Sequence, residues 1–107
     1  MNTNSIRSRN ALMKGFAVGE MIVSLLPEAP MSIYIYVGSV GAPTVSVMLG
    51  TAQQVTDAAA QHGIDTVETV DFNDTPGSVH LAARKEFDGV TVEFWNLTRA
   101  NVEAVAA

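Results

Sequence analysis

Asp88-Gly89 constrains this chain more than any other pair of residues, because it fixes the register of everything on either side of it. A two-residue type I′ turn needs φ > 0 at both central positions, and Asp-Gly is among the few pairs that supply this at low cost. With the turn set there, Ser78 to Thr98 reads as one β-hairpin. Phe87 pairs with Val90, Lys85 with Val92, Ala83 with Phe94 and Leu81 with Asn96, on one face. Side chains alternate with period two, so the other face pairs Glu86 with Thr91, Arg84 with Glu93, Ala82 with Trp95 and His80 with Leu97. Both faces therefore carry apolar bulk.

The remaining segments supply the rest of an α+β domain. Ser32 to Gly38 alternates Ile33, Ile35 and Val37 against Tyr34 and Tyr36, and Thr44 to Leu49 alternates in the same way with Val45, Val47 and Leu49. Both are strand signatures, and the link Ser39 to Pro43 is short enough for a hairpin. Thr51 with Gln54 three residues on forms a capping box, and Gly63 closes the helix that starts there. Asp65 to Asn73 reads as a third strand of mixed pattern, followed by a turn at Asp74-Thr75-Pro76-Gly77, with Pro76 at i+2 or, one residue shifted, at i+1. The order is α-β-β-α-β-β-β with two helices packed on a mostly antiparallel sheet of about five strands, and Arg99 to Ala107 as a short C-terminal helix or a frayed tail. Residues 1–4 are expected to be disordered and residues 5–107 to form one domain.

The first helix, expected over Ser5 to Leu26 and ended by Pro27 and Pro30, is apolar on more than one side. Leu12, Met13, Phe16, Ala17, Met21, Ile22, Leu25 and Leu26 leave Lys14, Glu20 and Ser24 as a narrow wet face, so such a helix needs cover from two directions, a sheet plus either a second helix or another subunit. That predicts a homodimer or higher oligomer with Phe16, Met21 and Leu25 among its contacts. Gly15 and Gly19 each cost about 1 kcal/mol relative to Ala in a helix interior. Their i, i+4 spacing lets another backbone come close, unless one of them ends the helix early.

Composition narrows the function classes. At 107 residues and 48% hydrophobic content, the chain suits a single domain without a metal or disulfide staple. Cysteine is absent, which excludes thiol nucleophiles and zinc-thiolate sites. The formal charge of −5 is uneven: Arg7, Arg9 and Lys14 face one acid before Pro27, whereas Arg84, Lys85 and Arg99 face ten acids after it. An acidic body disfavours long-range attraction to phosphate, and so nucleic acid as a partner. Lys14 and Glu20 interrupt the apolar run after Arg9, which argues against a signal peptide or a membrane span and for a cytoplasmic protein. The Asn96-Leu97-Thr98 sequon carries no weight without a secretory signal.

No motif carries chemistry. Gly38-Ser39-Val40-Gly41 follows a strand but precedes another strand rather than a helix, and it lacks the Walker lysine, so it reads as a turn. His62, next to the helix-ending Gly63, reads as a partial positive charge complementing the helix dipole. His80 has no nucleophile or orienting acid in any sequence pattern. Lys85 falls on an apolar hairpin face; it either snorkels to water or acts as a base or Schiff-base nucleophile, and the first is the commoner fate. No cofactor and no metal is expected.

Three function classes follow. The leading expectation is a non-catalytic protein-binding or regulatory module, as a mobile element's small effector would be. It acts on an unidentified protein partner through an apolar sheet face and the N-terminal helix. Its binding residues are Trp95 as aromatic anchor, Arg84, Glu93, His80 and Leu97 around it, and Tyr34 and Tyr36. Coverage of Trp95 by a helix of the same chain is the rival reading of that residue. The second class is a small-ligand site or small enzyme with a cleft near Lys85 and His80. The third is nucleic-acid binding through Arg7, Arg9 and Lys14 beside the two tyrosines.

Overall fold

The computed structural model describes residues 3–38 and 41–99. It contains helix α1 (Thr3–Leu25), strands β1 (Ser32–Val37) and β2 (Pro43–Met48), and helix α2 (Ala52–His62). These are followed by β3 (Val67–Val70), a 3-10 turn at Phe72–Asp74, β4 (Ser78–Phe87) and β5 (Val90–Arg99). The protein is α+β, with the five strands in one sheet in the order β1-β2-β5-β4-β3. The expected C-terminal helix lies beyond the described residues, and α1 already includes Thr3 and Asn4.

The hairpin register read from Asp88-Gly89 holds at every pair from His80–Leu97 to Phe87–Val90. Both turn residues have positive φ, 51° at Asp88 and 82° at Gly89, as a type I′ turn requires. β1 and β2 form the second hairpin, with Ile33, Ile35 and Val37 across from Val47, Val45 and Pro43. The two hairpins are joined by a parallel pairing of β2 with β5, in which Val45 meets Val92 and Val47 meets Phe94. That one parallel ladder makes the sheet mixed. It puts β5 at the centre, where Val90, Val92 and Phe94 are fully buried.

Both helices lie on the same side of the sheet, α1 over β1 and β2 and α2 over β5 and β4. Val18 and Ile22 of α1 and Val55, Ala58 and Ala59 of α2 enclose Val45, Val47, Leu49, Ala83 and the β5 residues. α1 is unbroken through both glycines, which settles the alternative of an early stop. What approaches them is not another backbone but side chains of β1 and β2. A Cβ on Gly15 would stand 2.8 Å from Ile35 Cγ2 and 3.4 Å from Pro43 Cβ, and one on Gly19 would stand 3.3 Å from Ile35 Cδ1.

α2 begins and ends as its residues dictate. Thr51 accepts from the Gln54 amide, the Gln54 side chain accepts from the Thr51 amide, and Gly63 takes the left-handed conformation at φ 66°. The third strand is shorter than the expected Asp65–Asn73. Asp71, Asn73 and Asp74 all adopt positive φ and bend the chain away after Val70, a conformation that short Asx side chains tolerate better than other non-glycine residues. Asp71 Oδ1 accepts from the Gly77 amide at 2.9 Å and holds the bend shut. The Ser78 amide donates to the Thr75 carbonyl and Gly77 has φ 77°, which places Pro76 at i+1 of the turn.

Candidate binding face

Because α1 and α2 share one side, alternation leaves the other side of the sheet without a helix among the described residues. Tyr34 and Tyr36 of β1, Ser46 and Met48 of β2, Glu93, Trp95 and Leu97 of β5, and His80, Ala82 and Arg84 of β4 all project there. Neither α1 nor α2 covers Trp95, so that rival reading of the residue does not hold for the two described helices. The indole lies across the sheet toward β2, where its Nε1 donates to Ser46 Oγ at 2.9 Å. This bond satisfies the one polar atom of a large apolar side chain that remains partly exposed.

The aromatic groups on this face are aligned. The Phe72 ring stacks on His80 with centroids 4.3 Å apart, and His80 tilts against Trp95 at 5.7 Å. Beyond the indole, Ser46 sits directly across from Tyr34, which is 66% exposed, and Tyr36 beside it is 53% exposed. The rings thus form a contiguous cluster from Phe72 through His80 to Trp95, with Ser46 between the indole and the two exposed tyrosines of the β1 edge strand. Arg84 pairs with Glu93 across the hairpin beside Trp95, as the register predicts. Leu97, also exposed, stands opposite His80.

Phe72 was not identified as a site residue from sequence, where it read as the end of a strand. The Asx bend turns it onto the open face. It lines a depression of about 370 Å³ together with His80, Ala82, Arg84 and Glu93. It also lines a second with Ser78, Leu97 and Arg99. Three short polar residues within four positions, Asp71, Asn73 and Asp74 on either side of Phe72, were the available signal that the strand stops early.

The other candidates separate. Lys85 is on the helix side and snorkels: its Nζ donates to the His62 carbonyl at 3.1 Å and sits 5.4 Å from the Phe87 ring. It is thus the cation at the α2 C-terminus, where the free carbonyls favour positive charge. His62 does not play that part. Its ring stacks on Phe94 at 5.6 Å and meets Phe87 edge-on at 5.3 Å, and its Nε2 is buried without a partner. Burial first, and the Lys85 charge second, hold its pKa below 6.5, so the neutral form is favoured and the expected partial positive charge is corrected.

Lys85 and His80 are on opposite faces of the sheet, so no single cleft contains both. α1 lies directly on β1 and β2 with glycines at the contact, which leaves no cleft beneath it. The hollow between the end of α1 and α2 holds about 150 Å³, below the roughly 300 Å³ at which small-molecule pockets usually begin; the depression beside Phe72 exceeds that volume but is open on the sheet face and does not include Lys85. The cationic residues of α1 are likewise across the sheet from Tyr34 and Tyr36, and Lys14 faces Asp88 at 3.8 Å. Among the described residues, no three His, Asp or Glu side chains converge as metal ligands, and no helix is long and apolar enough to cross a membrane.

Phe16, Met21 and Leu25 are all exposed. At about 100° per residue Leu25 falls on the opposite side of α1 from Phe16, and Met21 is nearer to Leu25 than to Phe16. They do not form one stripe. Asn96 of the sequon is 3% exposed and donates through Nδ2 to the Leu49 carbonyl at 2.7 Å, tying the end of β2 to β5. Compared with family models, curated proteins and solved structures, the chain matches none.

Proposed function

We propose that the protein is a non-catalytic protein-binding module that docks its partner on the open sheet face centred on Trp95. The observation that carries this reading is the cluster Phe72–His80–Trp95 leading toward Tyr34 on a side of the sheet that no described helix covers. Rigid aromatic side chains on a strand scaffold present large contact area at small entropic cost, and they are the residue types that dominate binding energy at protein interfaces. The face is also hydroxyl-rich, with Thr44, Ser46, Thr69 and Thr91, and its charges come in both signs, with Arg84 beside Glu93. A face of balanced charge suits another protein surface better than a phosphate backbone, which needs a cationic track.

The test uses the wild-type chain, Trp95→Ala, Tyr34→Ala and Met21→Ser as parallel baits, after thermal melts show that all four fold. A partner retained by the wild type and by Met21→Ser but lost from Trp95→Ala and Tyr34→Ala fits the reading. With that partner purified, Trp95→Ala should weaken binding by about 2 kcal/mol, roughly thirtyfold. Equal affinity for Trp95→Ala and the wild type rules out the open face as the docking surface.

A further inference from the structure

We propose that the free edge of β1 pairs antiparallel with β1 of a second copy about a two-fold axis through Ile35, joining the two sheets into one. The inference is independent of what docks on the open face.

β1 is an edge strand, and its sequence Ser-Ile-Tyr-Ile-Tyr-Val has none of the devices that keep edges apart. There is no charge from Pro30 to Gly41 and no proline inside the strand, whereas natural edges are usually blunted by lysine, proline, bulges or brevity. The opposite edge, β3, is blunted: it has four residues, includes Glu68 and ends in the Asx bend. In a chain of net charge −5, two copies repel each other least where both surfaces are neutral.

The ladder itself selects the register. The Gly38 amide donates to the Ala42 carbonyl, so by alternation Tyr36 and Tyr34 are the residues hydrogen-bonded to β2. The amides and carbonyls of Ile33, Ile35 and Val37 therefore point outward. With the axis at Ile35, the two Ile35 residues exchange both bonds, and Ile33 of each copy exchanges bonds with Val37 of the other. Tyr34 then stands opposite Tyr36 of the second copy at a non-hydrogen-bonded site, where side chains are closest. Apolar residues meet apolar residues on the helix side, and tyrosines meet tyrosines on the open side.

The helix layer is consistent with this arrangement. Gly15 lies over Ile35 and Pro43, and Gly19 over Ile33, Ile35 and Val45, so α1 straddles β1 and β2 and runs antiparallel to β1. An axis half a strand spacing beyond β1 puts the two α1 helices about 10 Å apart, within reach of ordinary helix packing. The flank of α1 toward that axis carries Leu12, Phe16 and Val23. Phe16, 57% exposed and next to Gly15, comes close to its counterpart there.

The chain has no cysteine, which makes cross-linking a direct readout of register. An equimolar mixture of Tyr34→Cys and Tyr36→Cys chains should oxidise to a covalent dimer, while either variant alone should not. Light scattering of the wild type at micromolar concentration should give twice the chain mass. Ile33→Pro removes an outward amide and no bond to β2, so it should raise the dimer dissociation constant by about tenfold or more. Met21→Ser should leave the dimer unchanged. A monomeric wild type, a mixture that cross-links no faster than the single variants, or a dimer lost in Met21→Ser would each overturn the proposal, and the cysteine experiment decides it even where Ile33→Pro fails to fold.

Discussion

Replacing either α1 glycine by alanine raises helix propensity by about the same 1 kcal/mol, yet the two substitutions should have opposite outcomes. At Gly15 the new Cβ meets Ile35 Cγ2 at 2.8 Å, where carbon pairs normally rest at about 3.5–4.0 Å. Ile35 is β-branched and its Cγ2 is fixed by χ1, so the methyl cannot swing away without moving the strand or the helix. Pro43 Cβ, at 3.4 Å, blocks the second direction. Overpacking of this kind costs about 1–3 kcal/mol, and the absence of a free direction for Ile35 Cγ2 puts Gly15 at the middle of that range or above, a net loss of about 1 kcal/mol or more. At Gly19 the nearest atom is Ile35 Cδ1, 3.3 Å away at the far end of the side chain, and a small χ2 adjustment relieves it. Gly19→Ala should therefore be neutral or stabilising by up to about 1 kcal/mol. Urea titrations of both variants measure the difference, and thermal melts should separate them by about 4–8 °C for each kcal/mol. In an Ile35→Leu background, which lacks the Cγ2 methyl, Gly15→Ala should cost less, giving a coupling of about 1 kcal/mol. Equal effects at the two glycines, or a stabilising Gly15→Ala, would refute the close approach as the reason for glycine there.

Gly89→Val should destabilise the fold by about 1 kcal/mol or more, since valine resists the φ of 82° that the turn imposes; an unchanged denaturation midpoint would count against the turn type. Because His62 has its pKa lowered below 6.5 in the folded state, its contribution to stability is complete above pH 6.5. That contribution falls as pH drops from there toward the folded value, so urea midpoints of the wild type should decline over this range and those of His62→Leu should decline less. Removing the neighbouring charge with Lys85→Met should raise the His62 pKa measured by NMR, while leaving it below the ordinary value because burial is the larger cause. Asn96→Leu leaves the Leu49 carbonyl without its 2.7 Å donor and should cost about 1–3 kcal/mol in chemical denaturation.

The features that follow from sequence alone are those decided within a few residues. Asp88-Gly89 favours a type I′ turn, and period-two alternation then carries that register through ten residues on each side, so Arg84–Glu93 and Ala82–Trp95 follow from it. The α2 ends are equally local, because Thr51, Gln54 and Gly63 satisfy backbone groups of their own helix. Tertiary structure decided which strands became neighbours, and through that which face stayed open. The parallel pairing of β2 with β5 joins segments more than forty residues apart, and it prevails because it puts Val92 and Phe94 against Val45 and Val47 under both helices. No local pattern distinguishes it from pairing β2 with β3. Once both described helices lie on one side, neither of them covers Trp95, Phe72 bends onto His80, and Lys85 displaces His62 as the cation at the end of α2. Those placements belong to the candidate site, and they depend on distant segments meeting in space, where burial and desolvation act on side chains that sequence order keeps apart.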